Sequence, residues 1–367
     1  MNDLSKISVV LPSLDPDDKL VTVIDGLLEY GFTDIILVND GSKPENLHYF
    51  EDAAAQHPEI HLLHHPKNRG KGAALKTAFN WFLENRPDAV GVVTVDGDNQ
   101  HHPEDTRACA LHMMASDKLV LGVRDFSQPD VPPRSRMGNR ITCGVFKVFV
   151  GMNISDTQTG LRAIPTHDVK TLISIYGDRF EYETNMLLAM KDWAIPFEEV
   201  KIRTVYIEEN KSSHFHTIKD SWRIYKLILK HFFRYTVSSL ASAVVDNGMF
   251  ALLSGLLHSI LSGFPLTAVC SVSARVVSSL LNFFMNHKLV FNSRVSTGKA
   301  MLRYYMLAIP QMAAQVLLTQ GVYWLFAIPD SATGLRTLLY AVVMTVLYIA
   351  SFMIQQRWVF AAKTSTK

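Results

Sequence analysis

The sequence predicts an α/β domain with a mostly parallel sheet, followed by an all-α membrane domain of four helices arranged as two parallel hairpin repeats. Three observations carry that expectation. Short apolar runs alternate with helical patterns up to residue 213. Four apolar stretches of membrane-crossing length follow residue 234. Charge divides at the same place: residues 1–233 hold 26 Lys/Arg and 32 Asp/Glu, whereas residues 234–367 hold 10 and 2. The whole-chain net charge of +2 and the 48% hydrophobic content therefore average two unlike halves. Such a composition excludes a disordered chain and a disulfide-stapled miniprotein. Cys109, Cys143 and Cys270 are widely spaced and odd in number, which fits a reducing compartment. No apolar signal-peptide core precedes the first strand, so the first domain is expected in the cytoplasm.

The strands of the first domain are read at residues 7–12, 34–39, 89–95 and 118–122. In open α/β sheets ligands sit beyond the carboxyl ends of strands, and polar residues cluster there. After the third run comes Asp96-Gly97-Asp98-Asn99-Gln100. Two carboxylates one residue apart in a turn can converge on a hard divalent cation, with the Gln100 amide adding a neutral oxygen. Mg2+ or Mn2+ held there neutralises a diphosphate leaving group as a Lewis acid. Before it, residues 68–75 contain Gly70 and Lys71 at the start of a helix. Glycine allows close backbone approach, and a helix N-terminus favours anions. The segment is neither a Walker A loop nor GxGxxG.

A cationic stretch follows the fourth strand: Arg124, Arg134, Arg136 and Arg140, with Lys211 and Ser213 closing the domain. Arginines suit bidentate phosphate recognition, so these residues are expected to meet donor and acceptor phosphates. Arg134 and Arg136 open a segment with Met137, Ile141, Val145, Phe146 and Phe149, consistent with an amphipathic helix at a bilayer surface. Residues 214–233 mix Lys and Arg with Trp222, Tyr225, Phe232 and Phe233 and read as a juxtamembrane amphipathic helix. The adjacent pairs His64-His65 and His101-His102 lack the spacing of a zinc site.

The membrane spans are expected at about 236–257, 264–285, 304–326 and 337–354, within a domain of residues 234–360 and before a tail of 361–367. Basic residues gather on one side: Arg234, Lys288, Arg294, Lys299, Arg303, Arg357 and Lys363. The positive-inside rule then puts both termini in the cytoplasm of a multi-pass cell-membrane protein. Arg234-Tyr235 recurs as Arg303-Tyr304, and the 282–291 segment recurs at 351–360, both at an offset of 69. Asp246 and Arg275 lie about 17–18 Å from the cytoplasmic ends of their helices at 1.5 Å per residue, where an isolated charge is costly. They are expected to pair.

In this order the motifs of the first half resemble the family 2 glycosyltransferases of GT-A fold, and within them the polyprenyl-phosphate hexose synthases of the dolichyl-phosphate-mannose-synthase-like branch. Residues 10–15 stand where that family opens its nucleotide site, which implies donor contacts from Pro12, Ser13 and Asp15. Asp40 stands in its usual acidic turn and implies a nucleotide contact, with Asn39 replacing the other Asp. Asp96, Asp98 and Gln100 match its metal motif, and residues 156–162 and 179–183 match later segments. The membrane half resembles the GtrA-like proteins through its 282–291 and 355–360 ends, which implies a role with polyprenyl-phosphate-linked sugars.

The expected activity is transfer of a hexosyl group from a nucleotide-diphosphate sugar to polyprenyl (undecaprenyl) phosphate at the cytoplasmic face, inverting the anomeric centre, for cell-envelope glycosylation. UDP-glucose or a UDP-N-acetylhexosamine is favoured as donor over GDP-mannose. The expected catalytic set is Asp96, Asp98 and Arg136, with Glu183 or its neighbour Glu181 orienting acceptor or sugar hydroxyls. The bilayer is an expected partner, a homo-oligomer is compatible, and nucleic acid is not expected. The competing readings are a lipid-linked-sugar transporter whose soluble domain only binds, and a transferase for another lipid acceptor.

Overall fold

The computed structural model describes residues 3–129, 131–203, 226, 228–293, 295–329 and 331–361, apart from the side chains at positions 134 and 231. The chain divides into two units, Met1–Ile228 and Leu229–Lys367.

The first unit is built on strands β1 (Ile7–Ser13), β2 (Ile35–Asn39), β3 (Ile60–His64), β4 (Gly91–Thr94), β5 (Leu119–Arg124), β6 (Arg162–Pro165) and β7 (Phe197–Ile202). Helices α1 (Lys19–Glu29), α2 (His48–Gln56), α3 (Lys71–Asn85), α4 (Pro103–Ser116), α5 (Pro133–Val145), α6 (Thr166–Ile173) and α7 (Glu181–Asp192) run between them. The seven strands lie in the order β3-β2-β1-β4-β6-β5-β7. All pairings are parallel except those of β6, which runs antiparallel to β4 and β5.

β1 and β2 are mostly apolar and almost wholly buried because helices cover both faces of the sheet. On one face Val10, Ile36 and Val38 pack with Ala78, Phe79 and Phe82 of α3. On the other, Val9, Leu11 and Leu37 pack with Leu20, Ile24 and Leu27 of α1. The chain leaves β1 toward β2 on one side and returns to β4 on the other, so a crevice opens at the carboxyl ends of β1 and β4.

The four strand runs read from sequence are β1, β2, β4 and β5. The amphipathic segment after Arg134 divides in two. Met137 and Ile141 of α5 are exposed, but Phe146 and Val150 of the following π-turn (Phe146–Val150) are buried and anchor it to the core. Lys211, Ser213 and most of the 214–233 segment lie outside the described residues.

The second unit holds four long helices, Lys230–Leu257, Gly263–Met285, Thr297–Leu325 and Thr333–Ile354. Among the described residues three helical segments are long and apolar enough to cross a membrane: Phe232–Leu257, Gly263–Val290 and Thr333–Val359. The third long helix falls short of that standard. It carries Pro310 within its length and Gln311, Gln315 and Gln320 along it, which dilute its apolar content.

Two π-turns, Asn286–Val290 and Gln355–Val359, stand at the offset of 69 seen in the sequence. Asn286 Nδ2 donates to Gln355 Oε1 at 3.0 Å, and the Phe291 and Phe360 rings stack at 5.1 Å. Equivalent positions of the two hairpins thus meet each other. Gln355 Nε2 also donates to Tyr235 Oη and Ser351 Oγ, so the amide is satisfied inside the bundle. Arg275 Nη2 lies 3.2 Å from Asp246 Oδ2, and Ser278 Oγ donates to Asp246 Oδ1 at 2.8 Å. The two charges pair, with Ser278 fixing the carboxylate.

Candidate active site

The crevice is lined by the turns that follow β1, β2 and β4 and by the starts of α3 and α7. Pro12 and Ser13 end β1 opposite Val38 and Asn39. Asp15 turns the chain with φ +46°, a left-handed conformation Asp tolerates. Its N–H donates to Ser42 Oγ, and its Oδ1 accepts from Lys43 N at 2.8 Å and Asn46 Nδ2 at 3.2 Å. The first and second turns are therefore laced together.

Asp40 is buried, and its carboxylate is engaged within the protein. Gly70 N donates to Oδ2 at 2.7 Å, Arg69 N donates to Oδ1 at 3.0 Å, and His65 Nδ1 stands 2.7 Å from Oδ1. This carboxylate holds the loop that leads into α3. Gly70 itself has φ +101°, and a Cβ there would fall 2.4 Å from Asp178 O. The tight fit fixes where α3 begins, with Lys71 as its first residue.

Lys71 is the centre of the site. Its Nζ lies 2.6 Å from Asp96 Oδ1 and 2.9 Å from Glu183 Oε1, joining the turn after β4 to the first turn of α7. Burial alone would lower the Lys71 pKa, but the two carboxylates outweigh it and raise the group above the usual lysine range. Burial likewise opposes ionisation of Asp96, yet the Lys71 ammonium and His101 hold its carboxyl far below the usual range. His101 Nε2 stands 3.5 Å from Asp96 Oδ2, and Gly160 presses on that same oxygen, where an added Cβ would fall only 2.3 Å away. Asp98 is different. Its Oδ1 accepts from Gln100 N at 3.1 Å, and its pKa is raised, first by burial and then by the Asp96 charge.

Two mostly buried carboxyls of like charge beside an amide form an oxygen-donor set that suits a hard divalent cation. Among the described residues no three His, Cys, Asp or Glu side chains are arranged to hold a metal, so the candidate ligands are Asp96, Asp98 and Gln100.

Residues 8–170 match the profile of Glycosyl transferase family 2, and residues 234–360 match that of the GtrA/DPMS transmembrane domain. The chain joins a family 2 glycosyltransferase domain to a GtrA/DPMS membrane domain.

Among its relatives is the UDP-N-acetylglucosamine–dolichyl-phosphate N-acetylglucosaminyltransferase of Methanococcus voltae, 24% identical over 55% of this chain and 86% of that protein. The undecaprenyl-phosphate mannosyltransferase of Micrococcus luteus is 28% identical over 43% of this chain and 65% of that protein. Among solved structures, a mannosyltransferase from Pyrobaculum calidifontis in complex with GDP-Man and Mn2+ aligns over 96% of this chain and 87% of its own. The TM-score is 0.40 and the identity 16%, too loose a likeness to argue from.

In this glycosyltransferase the remaining sequence-derived candidates fall into three groups. Arg124 is tied to the buried Asp156, with Nε 2.7 Å from Oδ2 and Nη2 3.1 Å from Oδ1. Arg136 donates to the backbone carbonyls of Phe126 and Gln128, which braces the loop before α5. Arg140 is exposed on α5. Arg134 lies in the first turn of α5, and its side chain is outside the described set, as are Lys211 and Ser213.

The structure also separates the two glutamates left open by the sequence. Two residues apart at a helix start, they face different ways. Glu183 meets Lys71, whereas Glu181 Oε1 accepts from Arg179 N at 3.4 Å and packs against Gly177.

Sequence reasoning missed Arg162, which is fully buried. Its Nε donates to Thr159 O and its Nη1 to Glu183 O, and Nη2 has no partner. It pins the Gly160 turn and the Glu183 backbone at once. The only sequence signal was its place in the 156–162 segment. His101 was also missed, because it was weighed only as half of an adjacent pair.

Proposed function

We propose that this glycosyltransferase moves a hexosyl group from a nucleotide-diphosphate sugar to polyprenyl phosphate at the cytoplasmic face of the membrane, with inversion, in cell-envelope glycosylation. The observation that carries the reading is the meeting of Lys71, Asp96 and Glu183 at the crevice beyond β1 and β4, with Asp98 and Gln100 on the same turn. The polyprenyl-phosphate acceptors named for the relatives support it. Asp96, Asp98 and Gln100 would hold Mg2+ or Mn2+, which supplies Lewis-acid neutralisation of the departing diphosphate.

The acceptor phosphate is an anion at neutral pH, so no strong general base is required. Lys71 offers its ammonium to the donor diphosphate at the N-terminus of α3. Asp40 acts beneath the site, setting the Arg69–Gly70 backbone on which Lys71 depends. Glu183 holds Lys71 and stands at the crevice where a sugar hydroxyl would be oriented. Arg136 and Arg140 on α5 lie beside Met137 and Ile141, a mixture of cationic and apolar groups that suits a lipid bearing a phosphate. Catalysis then rests on positioning and on electrostatic stabilisation of the leaving group.

The test uses the full chain in detergent with undecaprenyl phosphate and radiolabelled UDP-glucose, UDP-N-acetylglucosamine or GDP-mannose. A lipid-extractable product that forms with Mn2+ or Mg2+ and disappears with EDTA is expected. No product from any of the three donors would overturn the reading.

A further inference from the structure

We propose that Lys71 is a resident counter-cation that occupies Asp96 until a donor diphosphate arrives, so that divalent-cation binding depends on donor binding. The inference rests on Asp96, Asp98 and Gln100 being the cation site. Lys71 Nζ sits between Asp96 Oδ1 and Glu183 Oε1, and its side chain is 17% exposed. The other Asp96 oxygen faces His101 Nε2 and is pressed by the Gly160 backbone. Both oxygens of this carboxylate are therefore in use before any ligand binds.

A divalent cation arriving alone meets one carboxylate already neutralised and an ammonium in its way. Like charges a few ångströms apart in a partly buried site repel strongly, because little water lies between them to screen the charges. Only Asp98 then offers a full charge. A nucleotide diphosphate changes the balance, because its phosphate oxygens compete for the ammonium at the helix start. Lys71 can exchange Asp96 for a phosphate oxygen and keep Glu183, which frees Asp96 Oδ1.

Glu183 is suited to be the fixed end of that exchange. Its backbone carbonyl accepts from Nη1 of the buried Arg162 at 2.9 Å, so it stays in place when Lys71 changes partner. No covalent bond is made or broken in this step. By linkage, cation and donor each strengthen the binding of the other by the same factor.

The experiment measures Mn2+ binding to the full chain in detergent, by the electron paramagnetic resonance signal of free Mn2+, with and without UDP or GDP. The parent protein is compared with Lys71→Met and with Lys71→Gln, the second of which keeps a neutral N–H donor at the position. Parent protein is expected to bind Mn2+ at least about tenfold more tightly when nucleotide is present, within the 5–150-fold range of site coupling. Without nucleotide, both variants are expected to bind Mn2+ at least about fivefold more tightly than the parent, so that nucleotide tightens Mn2+ binding by a smaller factor in the variants than in the parent.

Mn2+ affinity of the parent that is indifferent to nucleotide overturns the proposal, whatever the variants do. So do variants that bind Mn2+ alone no better than the parent. Mn2+ binding that depends on nucleotide but not on Lys71 likewise overturns the proposal and leaves the cation site standing. No Mn2+ binding in any state removes the cation site itself, and the counter-cation role with it.

Discussion

Asp96 and Asp98 are one residue apart, yet their pKa values move in opposite directions: burial opposes ionisation of both, the Lys71 and His101 contacts outweigh it at Asp96, and at Asp98 the neighbouring Asp96 charge adds to it. The raised Asp98 pKa means that the folded protein holds this proton more tightly than the unfolded chain does. As pH rises above the ordinary value of 3.8, the charged form therefore costs stability. The isosteric Asp98→Asn variant is expected to melt at a higher temperature than the parent in EDTA at pH 7. That advantage should shrink as pH falls toward 3.8. The same variant should lose transfer by on the order of 10²-fold or more, since it gives up a charge meant for the leaving-group cation. A lower melting temperature at pH 7 would mean that Asp98 is a structural anchor. The Asp-Gly-Asp-Asn-Gln turn was legible in the sequence because a strand-like run precedes it and Asp, Gly and Asn are turn residues. The Lys71 contacts were not legible. Asp96 and Glu183 are remote from Lys71 in the chain, and only the fold brings α3, the turn after β4 and α7 to one point.

Elements with a single strong period were readable, and elements that mix signals were not. β1, β2, β4 and β5 announce themselves as apolar runs. β6 is four residues long and carries a buried arginine, and the mixed composition of β7 includes two glutamates and a lysine. Neither shows the periodicity of a strand, and their place in the sheet comes from tertiary pairing. The amphipathic reading of α5 took Val145, Phe146 and Phe149 for part of a surface face, but Phe146 is buried and Val145 and Phe149 pack partly buried against the core. The start of α3 is the most constrained point of the domain. Gly70 combines φ +101° and ψ 156° with a hydrogen bond to Asp40 and close contact with the Asp178 carbonyl and the Arg179 side chain. Gly70→Ala forces both a disfavoured backbone conformation and a backbone clash, for a loss of about 3 kcal/mol. It should also weaken UDP or GDP binding, because the next residue is Lys71. Thermal denaturation and nucleotide titration of the full chain check both effects. Unchanged melting with unchanged nucleotide affinity would show that the loop re-forms elsewhere.

At the scale of the whole molecule, the charge division of the sequence becomes a statement about topology that can be measured. Among the described residues three helical segments meet the length and apolarity of a span, and Thr297–Leu325 does not. Yet at 29 residues and 1.5 Å per residue it is about 44 Å long, more than the roughly 30 Å of hydrocarbon. Its Gln315 Nε2 donates to Tyr340 Oη on the following helix, so part of its polarity is satisfied inside the bundle. The Asn286–Gln355 contact also places the ends of the second and fourth helices together, so that, if both span a bilayer, they finish at the same face. That arrangement predicts that the third helix, which lies between them in the chain, crosses as well. Single cysteines at Ser259, Ser296 and Ser331 separate the possibilities in right-side-out vesicles treated with a membrane-impermeant maleimide, against the parent protein as background. Four crossings with basic loops inside predict labelling at Ser259 and Ser331, and at Ser296 only after permeabilisation. If Ser331 behaves like Ser296, the third helix does not cross. If Ser296 alone is labelled in sealed vesicles, the orientation is reversed and the charge argument fails.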